Sequence, residues 1–259
     1  MFKKVLVVYS DKKTKNHLET VEKTKKILQE KKVNFNFVGL HNLNEKDYNE
    51  VDLVISLGGD GTFVRAANLI VSQPILGINS DPETSEGALK SLLANEIEKL
   101  KEILDGKYKT IKRERAKVLL NGKEIRERVI NVVFVGAASQ FHCSRYIIKF
   151  KGQKEEHRSS GILVSTGSGS AAWFKSAGGN VFNYDEKRLQ FIVREPYVGK
   201  RIYLPKLLSG EIVVGESIEI VSMRDYGGVI AVDDSVYELK KGDRVEVEVS
   251  ELPLEVIVL

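Results

Sequence analysis

Gly58-Gly59-Asp60-Gly61-Thr62 sets one carboxylate among three glycines, directly after the apolar run from Val51 to Leu57. Glycine lets backbone approach a phosphate without a Cβ in the way. Free N–H groups at a helix start favour negative charge. A lone acid among such donors is ill suited to holding phosphate, because like charges repel. Asp60 fits better as a group that handles a proton or a metal beside the phosphate, and that combination points to phosphoryl transfer onto a hydroxyl. The plainer alternative is a strand-to-helix turn in which Asp60 only caps the helix, since Asp is a favoured cap. Arg65, about one turn into that helix, is either a phosphate contact or a solvated helix charge. The chain has no Walker A lysine motif, which excludes the P-loop solution.

A second small-residue segment runs from Gly161 through Ser165-Thr166-Gly167-Ser168-Gly169-Ser170-Ala171-Ala172 to Trp173. Gly167, Gly169 and Ala172 match the pattern G-x-G-x-x-A. They lie mid-chain in a β-rich region rather than in an opening βαβ unit, so the match carries little weight. The hydroxyls of Ser165, Thr166, Ser168 and Ser170 offer donors and acceptors on a surface where a sugar or base can lie flat. A turn packing helix against strand is the competing reading. His142-Cys143 reads as a strand pair with one side chain inward, Asp233-Asp234 as a hairpin turn, and Lys107 to Lys117 as a solvated strand face.

The elements that must position these groups fall into two regimes. Residues 1–105 read as an α/β domain carrying the glycine loop. Its strands are Val5 to Tyr9, Val33 to Val38, Val51 to Leu57 and Pro74 to Ile78. Its helices are His17 to Lys31, through Leu18, Val21, Ile27 and Leu28, then Phe63 to Val71 and Glu86 to Leu104. Short apolar strands alternating with helices predict a Rossmann-like parallel sheet, with ligands at the carboxyl ends of its strands. Residues 106–259 read as a β-rich, sandwich-like domain. Its strands are Tyr108 to Leu120, Val129 to Val135, Arg145 to Phe150, Leu189 to Val193, Ile212 to Ile220, Gly228 to Val232 and Arg244 to Val249. Asn121-Gly122 is a hairpin turn signal, and Ala171 to Ala177 is spaced for a helix. The predicted fold class is therefore α/β + β.

The 259 residues are 42% hydrophobic, enough for a sizeable core and against wholesale disorder. Forty basic against thirty-six acidic residues leave a net charge of +4, which suits an anionic small ligand and is too weak to argue for nucleic acid. The single cysteine, Cys143, forbids an internal disulfide and fits a reducing compartment. His17, His41, His142 and His157 lack metal-ligand spacing, so no protein metal site is expected. Met1 to Tyr9 hold too short an apolar core for a secretory signal, and no apolar run approaches a membrane span. The expected location is cytoplasmic.

The ordered pair of GGDGT and Ser-Thr-Gly-Ser-Gly-Ser-Ala-Ala-Trp, followed by Ala177-Gly178-Gly179, resembles the NAD kinase family. That family carries GGDGT and then an STPTGSTAY-like segment with SAGG. Asn131-Val132 stands where the family usually has Asn-Glu. Val232-Asp233-Asp234 and Gly242-Asp243-Arg244-Val245 look like its VDG and GDRV strands. Gly77 to Gly87 and Arg194-Glu195-Pro196 look closer to the mitochondrial-type branch. The resemblance implies an enzyme that phosphorylates the 2′-hydroxyl of the adenosine ribose of NAD(H). It also implies ATP or polyphosphate as donor, Mg²⁺, enclosure of the cofactor between the two domains, and a homodimer or homotetramer without nucleic acid or membrane as partner. Asp60 would activate the hydroxyl. Gly59, Gly61 and Thr62 would face phosphate, with Arg65 a further nucleotide contact. Asn131, Ser168, Ala171, Ala172, Trp173 and Ser176 would bind the dinucleotide. Three positions depart from the family pattern. Val132 and Ser160 replace acids, and Gly167 replaces the common proline. Two other readings are a lipid kinase of the GGDGT superfamily and a dinucleotide sensor that keeps the fold without catalysis.

Overall fold

A computed structural model describes residues 2–139 and 141–259. They form two compact units: the chain up to Arg113 together with Leu254–Leu259, and Glu114–Pro253. The units part at Arg113, beyond the boundary expected near Gly106, and the last strand returns to the first unit.

The first unit is a seven-stranded sheet flanked by helices. Its strands, labelled in chain order, are β1 (Lys4–Tyr9), β2 (Asn34–Gly39), β3 (Leu53–Gly58), β4 (Ile75–Asn79), β5 (Leu92–Leu93), β6 (Lys109–Arg113) and β19 (Leu254–Val258). They lie in the order β2-β1-β3-β4-β19-β6, with β5 on β4. β1 to β4 are parallel, Val7 facing Ile55 and Ile55 facing Leu76. β19 runs parallel to β4 and antiparallel to β6. Val5, Val7, Leu53, Ile55, Leu57 and Leu76 form its core with Ile27 and Leu28 of α1 (Lys15–Glu30). Thr14 caps α1, its hydroxyl accepting the His17 N–H. The buried face of α1 is His17, Thr20, Thr24, Ile27 and Leu28, whereas Leu18, expected inward, is 49% exposed. The threonine hydroxyls tolerate burial because each donates one turn back, Thr20 to Asn16 O and Thr24 to Thr20 O. α2 (Asp60–Asn68) follows β3 as expected. The helix expected over 86–104 is only α3 (Leu100–Leu104), entered through a 3₁₀ turn at Ala94–Lys99. Before it, backbone N–H groups are committed elsewhere: Ala88 and Leu89 to Asp60, Lys90 to Gly87 O, and Ser91 to Gly77 O.

The second unit is two six-stranded antiparallel sheets. One runs β11 (Gln153–Ser159), β10 (Ser144–Phe150), β15 (Ser217–Ser222), β18 (Arg244–Val249), β7 (Ala116–Leu120), β8 (Lys123–Glu124). The other runs β14 (Ser209–Val213), β13 (Arg188–Arg194), β12 (Gly161–Ser165), β9 (Val132–Ala137), β16 (Gly228–Val232), β17 (Ser235–Leu239). Alternate residues from both sheets share one core, with Val118, Ile148, Ile220 and Val247 meeting Val133, Val135, Ile162, Val164 and Phe191. The turns at Asn121-Gly122 and at Asp233 carry the positive φ that two-residue hairpins need.

Several expected strands were cut differently. The run from Tyr108 to Leu120 is two strands, β6 in one unit and β7 in the other, separated by buried Glu114 and Arg115. Arg115 donates to Leu252 O, so this run is not a uniformly solvated face. The run from Ile212 to Ile220 breaks at Gly215, whose φ of +86° turns the chain from β14 into β15. His142 and Cys143 precede β10 and are both exposed, not a strand pair with one side chain inward.

Candidate functional site

In the first unit the glycine loop joins β3 to α2. Gly59 is the cap residue of α2 and has no side chain to offer, while Asp60 is the first helical residue. The Asp60 carboxylate does not cap its own helix. It accepts the Ala88 N–H at 3.1 Å on Oδ2 and the Leu89 N–H at 2.9 Å on Oδ1. A carboxylate has about four lone-pair sites, so each oxygen keeps one for a further proton donor. The glycines serve different ends. A Cβ on Gly58 would stand 2.3 Å from Thr62 Oγ1, and one on Gly59 would stand 2.4 Å from Ser85 Oγ. Those two are demanded by close packing within the fold. Gly61 is exposed, with nothing within 4 Å of a Cβ position, and leaves the start of α2 open. Thr62 is buried, its hydroxyl turned onto Gly58. Arg65 lies within α2, half-buried.

The Asp60 clamp depends on the loop after β4, whose residues no motif singled out for a role. Asn79 is buried; its amide donates to Ser85 O at 2.9 Å and its Oδ1 accepts the Asp81 N–H at 3.2 Å. Asp81 is buried and takes Thr84 Oγ1 at 2.6 Å and Lys12 Nζ at 3.3 Å. These bonds hold the Asp81 carboxyl below the usual range, Thr84 first, against the opposing effect of burial. His17 ties the loop to β1: Nε2 donates to Ser10 O at 2.8 Å, and Nδ1 accepts from Ser80 Oγ at 2.7 Å. Burial lowers the His17 pKa, which keeps that neutral tautomer. The signal for this loop was the polar run Asn79-Ser80-Asp81 emerging from a fully buried strand.

In the second unit the segment after β12 assembles the remaining expected residues. Asn131 and the small-residue segment are in contact: the Thr166 N–H donates to Asn131 O at 3.1 Å, and a Cβ on Gly169 would meet Asn131 O at 2.4 Å. Ala171, Ala172, Trp173 and Ser176 are exposed along one stretch, with Ser168 half-buried. The Trp173 ring lies 5.6 Å from that of Phe134, and the Arg194 guanidinium is 5.0 Å from its centroid. The expected helix over 171–177 is instead a kinked π-turn, Ser170–Phe174, with Ala172 at φ −101° and ψ −118°. Ser170 fixes the kink by donating to Gly167 O and accepting the Phe182 N–H. Of the four hydroxyls expected to face a ligand, Ser165, Thr166 and Ser170 are buried and bonded to backbone. Val132 packs with Leu163 and Phe174 in a small apolar cluster beneath this surface. Arg158 lines a separate cavity of about 500 Å³ beside Arg145 and Arg224, its guanidinium stacked 4.0 Å from the Tyr203 ring centroid.

Residues 1–108 match a family model described as the ATP-NAD kinase N-terminal domain. A probable NADH kinase from Oryza sativa subsp. japonica is 30% identical over 275 residues, covering 97% of this chain and 84% of the relative. The chain belongs to the NAD kinase family. Solved structures of NAD kinase family members share its fold. A yeast NADH kinase complexed with NADH superposes with a TM-score of 0.82 at 18% identity, covering 100% of this chain and 84% of the other. An NAD kinase from Archaeoglobus fulgidus in complex with ATP gives 0.74 at 22% identity, covering 98% and 92%. One departure from the NAD kinase pattern now has a physical reason. A Cβ on Gly167 would lie 2.0 Å from Asn183 O, so the backbone at 183–184 excludes the proline common there.

Proposed function

We propose that this NAD kinase family member transfers the γ-phosphoryl group of ATP to the 2′-hydroxyl of the adenosine ribose of NAD(H), giving NADP(H). The Asp60 clamp carries this reading: a carboxylate fixed by two backbone N–H bonds, with lone pairs to spare, beside an exposed glycine at a helix start. A ribose hydroxyl is a weak nucleophile. Asp60 takes its proton as the new O–P bond forms and the bond from phosphorus to the departing ADP oxygen breaks, and such help is worth roughly 10²–10⁴-fold. Gly61 and the first N–H groups of α2 face the phosphate charge. Asn131, Ser168, Ala171, Ala172, Trp173 and Ser176 bind the dinucleotide, and Arg65, Gly59 and Thr62 support the phosphate loop.

Mg²⁺ fits as part of the nucleotide substrate. It would be held mainly by the phosphate oxygens of that nucleotide. Among the described residues no helix is long and apolar enough to cross a membrane. A homodimer or homotetramer in the cytoplasm completes the proposal. The test offers NAD, NADH and diacylglycerol in parallel, with ATP or polyphosphate, and measures each product. NADP(H) formed only with a phosphoryl donor is expected. Phosphorylated lipid without NADP(H) would give the reading to a lipid kinase.

A further inference from the structure

Lys90 turns its charged end into the first unit. Its Nζ donates to Ser56 Oγ at 2.8 Å and lies 5.0 Å from the centroid of the Phe63 ring. Ser56 on β3 and Phe63 on α2 are both fully buried. The stem fills room that glycine leaves, since a Cβ on Gly77 would stand 2.8 Å from Lys90 Cδ. Part of the residue keeps contact with solvent, and the enclosed part is the head. Lysines usually extend the other way, stem covered and head in water. The two residues before Lys90 supply the N–H groups that hold Asp60. One short stretch, 88–90, thus gives the Asp60 carboxylate both its hydrogen-bond seat and a titratable neighbour. Lys90 meets a hydroxyl from β3, the Phe63 ring from α2 and bare backbone from β4. Asp60 is the charged group that acts on it.

We propose that Lys90 is a positioning residue for phosphoryl transfer, its enclosed head setting how readily the Asp60 carboxylate takes the proton of the substrate hydroxyl. The inference rests on the kinase reading above. A protonated Lys90 attracts the charged carboxylate, which is the form present before transfer. That attraction disappears as Asp60 receives the proton, so an ammonium holds the step back and a neutral amine does not. Lys90 itself exchanges no atom with the substrate. Burial pulls the Lys90 pKa from 10.5 down to about 7, with Asp60 opposing the shift, so both charge states are populated near neutrality.

The test compares kcat of the wild type and Lys90→Met from about pH 6 to 8.5, taken as the ratio of variant to wild type. Ionisations of the nucleotide phosphates cancel in that ratio. It is expected to fall roughly three- to tenfold with rising pH as the wild-type lysine loses its charge, with KM unchanged. A ratio constant with pH would overturn the proposal, because a side chain that only fills space changes the height of a profile and not its shape. The variant should fold, since methionine matches the stem and removing a buried charge is often neutral or stabilising. A second measurement does not depend on turnover. The Lys90 Cε signal in NMR should titrate near 7 in the wild type and lower in Asp60→Asn, where the opposing carboxylate charge is gone. An unmoved midpoint in Asp60→Asn would also overturn the proposal. Wild-type protein that makes no NADP(H) would count against the kinase reading, and the NMR result would still decide the coupling.

Discussion

Asp60 could be read from the sequence and Lys90 could not. An acid among glycines is conspicuous because it conflicts with the phosphate-holding role expected of its neighbours. A lysine four residues after an acid in a charged stretch looks like any solvated charge, and nothing in Glu86 to Ser91 reveals that its head turns inward. Asn79 and Asp81 were hidden for a related reason: Asn79 bonds to loop backbone and Asp81 to the Thr84 and Lys12 side chains, which leaves no spacing to detect. Trp173 entered only through its place in the family-like segment, and it is 42% exposed beside exposed Ala171 and Ala172. Replacing it with alanine should raise the KM for NAD about two- to tenfold while leaving kcat nearly unchanged, the size expected for a lost aromatic contact. Steady-state kinetics with varied NAD checks this.

At the scale of elements, apolar spacing located β1, β3 and β4 well, because a buried parallel strand is a short continuous apolar run. It failed where side chains were polar and backbone pairing decided. β11 carries Lys154, Glu155, Glu156 and Arg158 and is a strand because its register with β10 pairs seven residues. The same limit applies to the segment after β12. Its small residues suggested a helix, and the kink at Ala172 follows from bonds of Ser170 to residues at 167 and 182 that no local pattern encodes. Gly167→Pro would restore the residue common in the family and should nonetheless destabilise the second unit by about 1–3 kcal/mol, since its Cβ would be forced onto backbone rather than onto a movable side chain. Denaturant midpoints of the two proteins measure that loss.

At the scale of the molecule, the division into an α/β part and a β-rich part was legible as a change of regime. The path of the C-terminus was not. An apolar strand at Leu254–Val258 fits either kind of sheet, and only its pairing with β4 and β6 assigns it to the first unit. Global stability should carry the imprint of two buried bases. His17 has its pKa lowered by burial, so below its ordinary 6.5 the unfolded chain binds a proton that the folded chain refuses, and stability falls with acid. Lys90 acts in the same sense higher up. Between about 7 and 10.5 the unfolded chain holds the proton and the folded chain has lost it, so stability climbs with pH through that window. The Lys90 part amounts to a few kcal/mol at most, at about 1.4 kcal/mol per pKa unit. Urea midpoints from pH 5.5 to 9.5 should therefore rise with pH, and Lys90→Met should flatten the upper part of the curve.

The most direct measurement is NADP formation by Asp60→Asn, set beside its affinity for NAD. The substitution keeps the shape of the side chain and an oxygen for one backbone N–H, and it removes the proton acceptor. Turnover should fall by roughly 10²–10⁴-fold with NAD affinity held within about twofold of wild type. Turnover close to that of the wild type would contradict Asp60 as the group that receives the hydroxyl proton.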